Sequence, residues 1–177
     1  MKKYQIIYAD PPWRFFAGGN RNATRYYSCM KLEDIKALPI KDLADDNCAL
    51  FLWITHPMLQ QGLDTLTAWG FKFSTVAFDW MKLNKKANTP FMGCGYWTRA
   101  NGELCILGIK GKMQRMSRSV PEALLTHREQ HSRKPAIVRD RIVQLMGDLP
   151  RIELFARQKT EGWDVWGNEV ESDIDLA

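Results

Sequence analysis

Apolar residues run almost without a break over positions 4–9 (YQIIYA) and 48–54 (CALFLWI). Runs this short cannot span a membrane. They suit strands covered on both faces of a parallel sheet. Elsewhere the period changes. Residues 31–38 have short helical character that Pro39 ends. After residue 54 a helix is predicted: Thr55 can cap it, Pro57 sits near its first turn, Leu59, Leu63 and Leu66 recur at helical spacing, and Gly70 stops it. Residues 71–81 alternate and are rich in aromatic and β-branched types, which predicts a strand. A polar, glycine-containing loop over 83–100 and a strand over 103–109 follow. Pro135 opens a second helix with Val138, Ile142 and Leu145 on one face and Gly147 as its stop. Strands are predicted over 151–156 and 163–166. Alternation of strands and helices predicts a three-layer, Rossmann-like α/β domain with a mostly parallel sheet, in which ligands sit beyond the carboxyl ends of the strands.

At 177 residues and 45% hydrophobic content the chain suffices for one domain, residues 1–177, with 171–177 as an acidic, flexible tail. No C-x-x-C pair occurs among Cys29, Cys48, Cys94 and Cys105, and no signal-peptide pattern follows the first three residues. The expectation is a cytoplasmic protein with packed thiols, no membrane segment and no metal. His127 and His131 stand four apart but lack the acid of a zincin motif. The formal charge is +5, and residues 110–134 alone carry seven basic side chains against two acids. That stretch is either a solvated loop or a surface that follows phosphates through Lys110, Lys112, Arg115, Arg118, Arg128 and Arg133.

The first strand stops at Asp10-Pro11-Pro12-Trp13. Two prolines fix φ and offer no N–H, so a stiff loop presents one carboxylate, carbonyls with no ladder to join, and an indole. An ordinary strand-ending turn would explain the first three residues. An aromatic directly after them suits stacking on a planar ring. Met-Gly-Cys-Gly at 92–95 lacks the third glycine of a cofactor loop. Trp53, Trp69 and Trp166 sit in core-like contexts, whereas Tyr96 and Trp97 are better placed for base contacts.

ADPPW (9–13), YSCM (27–30), LFLWIT (50–55), WGF (69–71), ELCILGIKG (103–111), HSRKP (131–135), ELFAR (153–157) and GWDVWGNE (162–169) together resemble the adenine amino-group methyltransferases. The family is that of the eukaryotic mRNA adenosine methyltransferase and its bacterial and phage relatives. The resemblance implies S-adenosylmethionine as methyl donor and a permuted fold whose catalytic strand precedes the cofactor strand. Asp10 and the Pro11 carbonyl would accept the two N–H hydrogens of the adenine amine and free its lone pair, with Pro12 stiffening the loop and Trp13 stacked on the base. Lys134 would meet the donor's carboxylate and Asp10 its ammonium group. Arg157, with Glu153 nearby, would reach the ribose, and Asn168 and Glu169 the donor's adenine. Tyr27, Glu103 and Lys134 would hold the target base. After Arg157 the chain departs from the eukaryotic pattern, since Gln158-Lys159-Thr160 lacks the asparagine that grips the ribose.

Without the resemblance, Glu153 would be expected to pair on the surface with Arg151 or Arg157, and Lys134 to be a solvated helix-entry lysine. Size favours DNA over RNA as substrate, any specificity falling to the loops at 14–30, 83–100 and 110–133. RNA adenosine N6, cytosine N4, and a catalytically silent subunit of a methylating complex remain alternatives. Both the acid and the aromatic of the tetrapeptide are present, which argues against silence. Homodimer and heterodimer are both open.

Overall fold

The structure, a computed structural model, describes residues 2–14, 29–95, 97–128 and 133–176. Its centre is a seven-stranded sheet of order β5-β3-β4-β2-β1-β6-β7. The strands are β1 (Tyr4–Ala9), β2 (Ala44–Thr55), β3 (Lys72–Leu83), β4 (Gly102–Lys110), β5 (Ala123–His127), β6 (Arg151–Leu154) and β7 (Asp164–Trp166). Only β4 runs against the rest, antiparallel to both β2 and β3. The mostly parallel sheet was legible in the sequence. The antiparallel partner of β2 was not, because CALFLWI reads the same whichever way its neighbour runs.

Helices cover both faces. On one, α1 (Leu32–Ala37), α2 (Ile40–Leu43) and α3 (Leu59–Ala68) bury Ile35, Ile40, Leu43 and Leu66 against Ile7, Leu50 and Leu52. On the other, α4 (Ile137–Met146) buries Val138, Ile142 and Met146 against Ile6, Tyr8, Phe51 and Trp53. Alternate residues of β1 thus serve the two cores, as the two-residue strand period requires. Trp53 and Trp69 are fully buried, as expected, and Trp166 packs partly buried at the edge of the first core.

Several local expectations are corrected. A 3-10 turn, His56–Met58, precedes α3, and Thr55 makes no side-chain cap bond. Leu59 is 43% exposed, so the buried face of α3 is carried by Gly62, Thr65 and Leu66 instead. Gly147 ends α4 at φ 93, a left-handed conformation that favours glycine. The acidic tail is docked: Asp173 accepts from the Val165 N–H and the Lys159 ammonium, both at 2.9 Å, and Leu176 reaches the core. Among the described residues no helix is long and apolar enough to cross a membrane.

The basic stretch is not one loop. It contains a whole strand, β5, which joins β3 in parallel. Lys110 pairs with Cys48 at one end of the sheet and Glu103 with Thr55 at the other, about 24 Å apart along β4. Lys110 donates to the carbonyls of Lys41 and Ala44, and the Lys112 N–H to Asn47. Arg115 and Arg118 flank Met116 and Ser117, whose N–H groups bond Leu145 at the far end of α4. Only Arg128 and Arg133 lie at the end where β1 delivers Asp10. The six basic residues therefore divide between the two ends of the sheet rather than sharing one loop.

Candidate active site

β1 is central, its parallel neighbours β2 and β6 lying on opposite sides. The chain leaves β1 toward β2 and later crosses back to β6, so the carboxyl end of β1 is the switch point where a ligand crevice opens. Asp10 stands there. A cleft of about 280 Å³ beside it is lined by Tyr8, Asp10, Arg133, Lys134, Arg139, Glu153, Phe155, Arg157, Gln158 and Glu169.

The loop after β1 is pinned rather than open. The Trp13 N–H donates to the Pro11 carbonyl at 2.8 Å and the Met30 N–H to the Pro12 carbonyl at 3.1 Å. Both prolyl carbonyls, expected to lack local partners, thus have one, and Pro11 keeps a second lone pair for a ligand. Trp13 is only 5% exposed, and its indole N–H donates to the Trp53 carbonyl at 2.8 Å. It acts as a strut into the core, which corrects the expectation that its ring lies open for stacking. Trp53 in turn donates to the Tyr8 hydroxyl at 2.7 Å, tying the loop to the floor of the cleft.

A buried chain of charges crosses the site. The Lys134 ammonium donates to Asp10 Oδ2 at 2.8 Å and meets Glu103 Oε2 at 2.9 Å. Glu103 Oε1 accepts from Lys82. Four elements converge here: the end of β3, the start of β4, the loop into α4 and the loop after β1. Lys134 is 8% exposed, which overturns the solvated helix-entry reading. Burial pushes the Asp10 carboxyl above its ordinary value, and the Lys134 charge offsets only part of that. For Glu103 burial again pushes up, but Lys134 and Lys82 together outweigh it and hold the carboxyl below its ordinary value. Lys134 is disfavoured as a cation by burial, yet Asp10 and Glu103 raise its pKa and keep it charged.

On the β6 side, Glu153 is 7% exposed and takes two bonds from Arg139, Nε to Oε2 and Nη2 to Oε1, both 2.6 Å. Its partner is neither Arg151 nor Arg157. The sequence left Arg139 unnoticed, although its place beside Val138 on the buried face of α4 was a usable signal. Phe155 was also missed: it holds φ 59, uncommon for a bulky residue, and sits edge-on to Trp166 with ring centres 5.2 Å apart. Arg157 approaches Glu169 at 3.6 Å, and Arg133 donates to Gln158 at 2.8 Å. Gly167 runs tight against the end of β6, where a Cβ would stand 2.3 Å from the Ala156 carbonyl. Asn168 follows it, exposed, and does not line the cleft. Tyr27, Tyr96 and His131 lie outside the described residues.

The arrangement suits a zwitterionic ligand. Lys134 and Arg133 offer cations beside the Asp10 carboxylate, and Phe155, Arg157 and Glu169 supply an apolar wall and polar groups farther along the cleft. Comparison with known proteins agrees. The MT-A70 family profile matches residues 4–169. The chain is 35% identical to the Type II methyltransferase M.MunI of a Mycoplasma species, covering 96% of this chain and 78% of that protein. It is 27% identical to the human N(6)-adenosine-methyltransferase catalytic subunit METTL3 and to the MT-A70-like N(6)-adenosine-methyltransferase of Drosophila melanogaster. Each match covers 96% of this chain but only 28% and 27% of those longer proteins.

Proposed function

The chain belongs to the MT-A70 family of methyltransferases, and from that premise we propose that it methylates the exocyclic N6 amine of adenine in DNA. The observation that carries the reading is the buried Lys134 ammonium shared between Asp10 and Glu103 at the carboxyl end of β1. It keeps an acceptor carboxylate charged and fixed where the substrate amine must arrive. The higher identity to the Type II methyltransferase than to the N(6)-adenosine enzymes favours DNA. The names of the latter support the N6 position.

Adenine's amine is a poor nucleophile because its lone pair is delocalised into the ring. Asp10 accepts one N–H, and the second lone pair of the Pro11 carbonyl accepts the other. The nitrogen then moves toward tetrahedral geometry and its lone pair becomes available. Glu103 and Lys134 hold the base edge beside these acceptors, while Trp13 keeps the loop from yielding. Fixed acceptors of this kind contribute roughly 3–4 kcal/mol each by analogy with oxyanion-hole donors, and orientation up to about 7–11 kcal/mol.

S-adenosylmethionine supplies an electrophilic methyl group when bound. The residues present fit it: Lys134 and Arg133 for its carboxylate, Asp10 for its ammonium group, and Arg157 and Glu169 for its ribose and adenine. Glu153, held by Arg139 through both oxygens, lines the cleft with Arg157 beside the ribose position. The target base must be flipped from a duplex or taken from a single strand. Nucleoside mass spectrometry after incubation with the donor and duplex DNA, single-stranded DNA or RNA tests the reading. N6-methyladenine in DNA supports it. N4-methylcytosine, or methylation confined to RNA, replaces it with the corresponding alternative.

A further inference from the structure

The basic stretch 110–118 lies at the end of the sheet away from Asp10. At the catalytic end the described part of the β3–β4 connection, residues 84–95 and 97–101, forms an arm rooted beside Glu103. Its base is ordered by the backbone: the Phe91 N–H donates to the Lys82 carbonyl at 2.7 Å, the Lys82 N–H to Asn101 at 3.0 Å, and the Gly93 N–H to Ala100 at 2.8 Å. Arg128, arriving from β5, lies 3.7 Å over the Phe91 ring and braces the arm from the side.

The outer part of the arm is exposed and of one sign. Lys85, Lys86 and Arg99 are exposed, Trp97 is 93% exposed, and no acid occurs between Asp79 and Glu103. The arm's cations therefore have no carboxylate of their own segment to neutralise them. A polymer with regularly spaced negative charges and planar faces matches cations set around an indole.

We propose that this arm is the surface that grips the nucleic-acid backbone, with Lys85, Lys86, Arg99 and Arg128 on phosphates and Trp97 stacked on a base beside the target. The assignment rests on the nucleic-acid reading above and relocates its contact surface. A strand followed along the arm reaches Glu103, and through Lys134 reaches Asp10, without crossing the sheet.

The test is fluorescence anisotropy with labelled duplex and single-stranded DNA across a salt series, on the parent chain, K85A/K86A/R99A, Trp97→Ala and K112A/R115A. The triple variant is expected to flatten the slope of log affinity against log salt by about 2–3. Trp97→Ala is expected to weaken single-strand binding roughly 5- to 150-fold at unchanged slope. K112A/R115A, altered at the far end, should bind like the parent, and all variants should keep the parent's thermal midpoint. A parent that binds while the arm variants bind equally well overturns the arm alone. Loss confined to K112A/R115A, or equal competition by polyglutamate, also overturns it. A parent that binds neither DNA overturns the nucleic-acid reading and the arm with it.

Discussion

Lys134 Nζ lies 2.8 Å from Asp10 Oδ2, joining residues 124 apart in sequence. The pair ties the loop after the first strand to the entry of α4, so the Asp10 carboxylate and the Lys134 cation are held as one unit. Burial raises the Asp10 pKa, and Lys134 is the strongest influence lowering it.

Lys134→Met should therefore shift the acid limb of the pH–rate profile to higher pH, because Asp10 would stay protonated longer. Rates at saturating donor across pH 5–9 check this. An acid limb that stays in place would show that Asp10 ionisation does not depend on Lys134.

Glu103 has a folded-state pKa below its ordinary value of 4.5, so its ionised form stabilises the protein. That contribution is complete above the unfolded pKa and fades as pH falls through the folded one. Glu103→Gln should cost about 1–3 kcal/mol at pH 7, with the gap to the parent closing below about pH 4.5. Urea unfolding at pH 7 and pH 4 measures both values.

Arg139 and Glu153 are a buried pair with 12% and 9% side-chain exposure. Arg139→Met leaves a carboxylate buried without its partner and should cost about 3–5 kcal/mol. Combining it with Glu153→Met should recover most of that loss, as a double-mutant cycle by urea unfolding would show.

Trp13→Phe keeps the ring volume but orphans the Trp53 carbonyl, at a cost of about 1–3 kcal/mol. Turnover should fall through the loosened loop while donor affinity, measured by calorimetry, stays near the parent's. A variant as active and stable as the parent would remove the strut.

Much of this site was legible because its chemistry is local. DPPW ends an apolar run, and the fold class places strand ends at the ligand crevice. Lys134, Glu103 and Glu153 were singled out as site residues, but the way they pair was not. The Arg139–Glu153 pair and the Lys82 link to Glu103 depend on strand order, which periodicity does not encode. The same ignorance misplaced Lys110 and Lys112, since a basic count cannot say that β4 runs backwards and carries them to the far end. Trp13 was assigned to stacking from its place after the two prolines and from the resemblance, whereas its indole N–H reaches the Trp53 carbonyl that β2 presents beside it.

The most direct measurement is methyl transfer to DNA by Asp10→Asn, with its thermal midpoint and donor affinity taken alongside. The substitution removes the charge but keeps the shape. Asn keeps an oxygen that can accept from Lys134, and Glu103 still pairs with that cation, so the variant should stay folded. Turnover lower by at least about 10²–10³-fold in a folded, donor-binding protein is the predicted result. Turnover near the parent's would contradict the role given to Asp10.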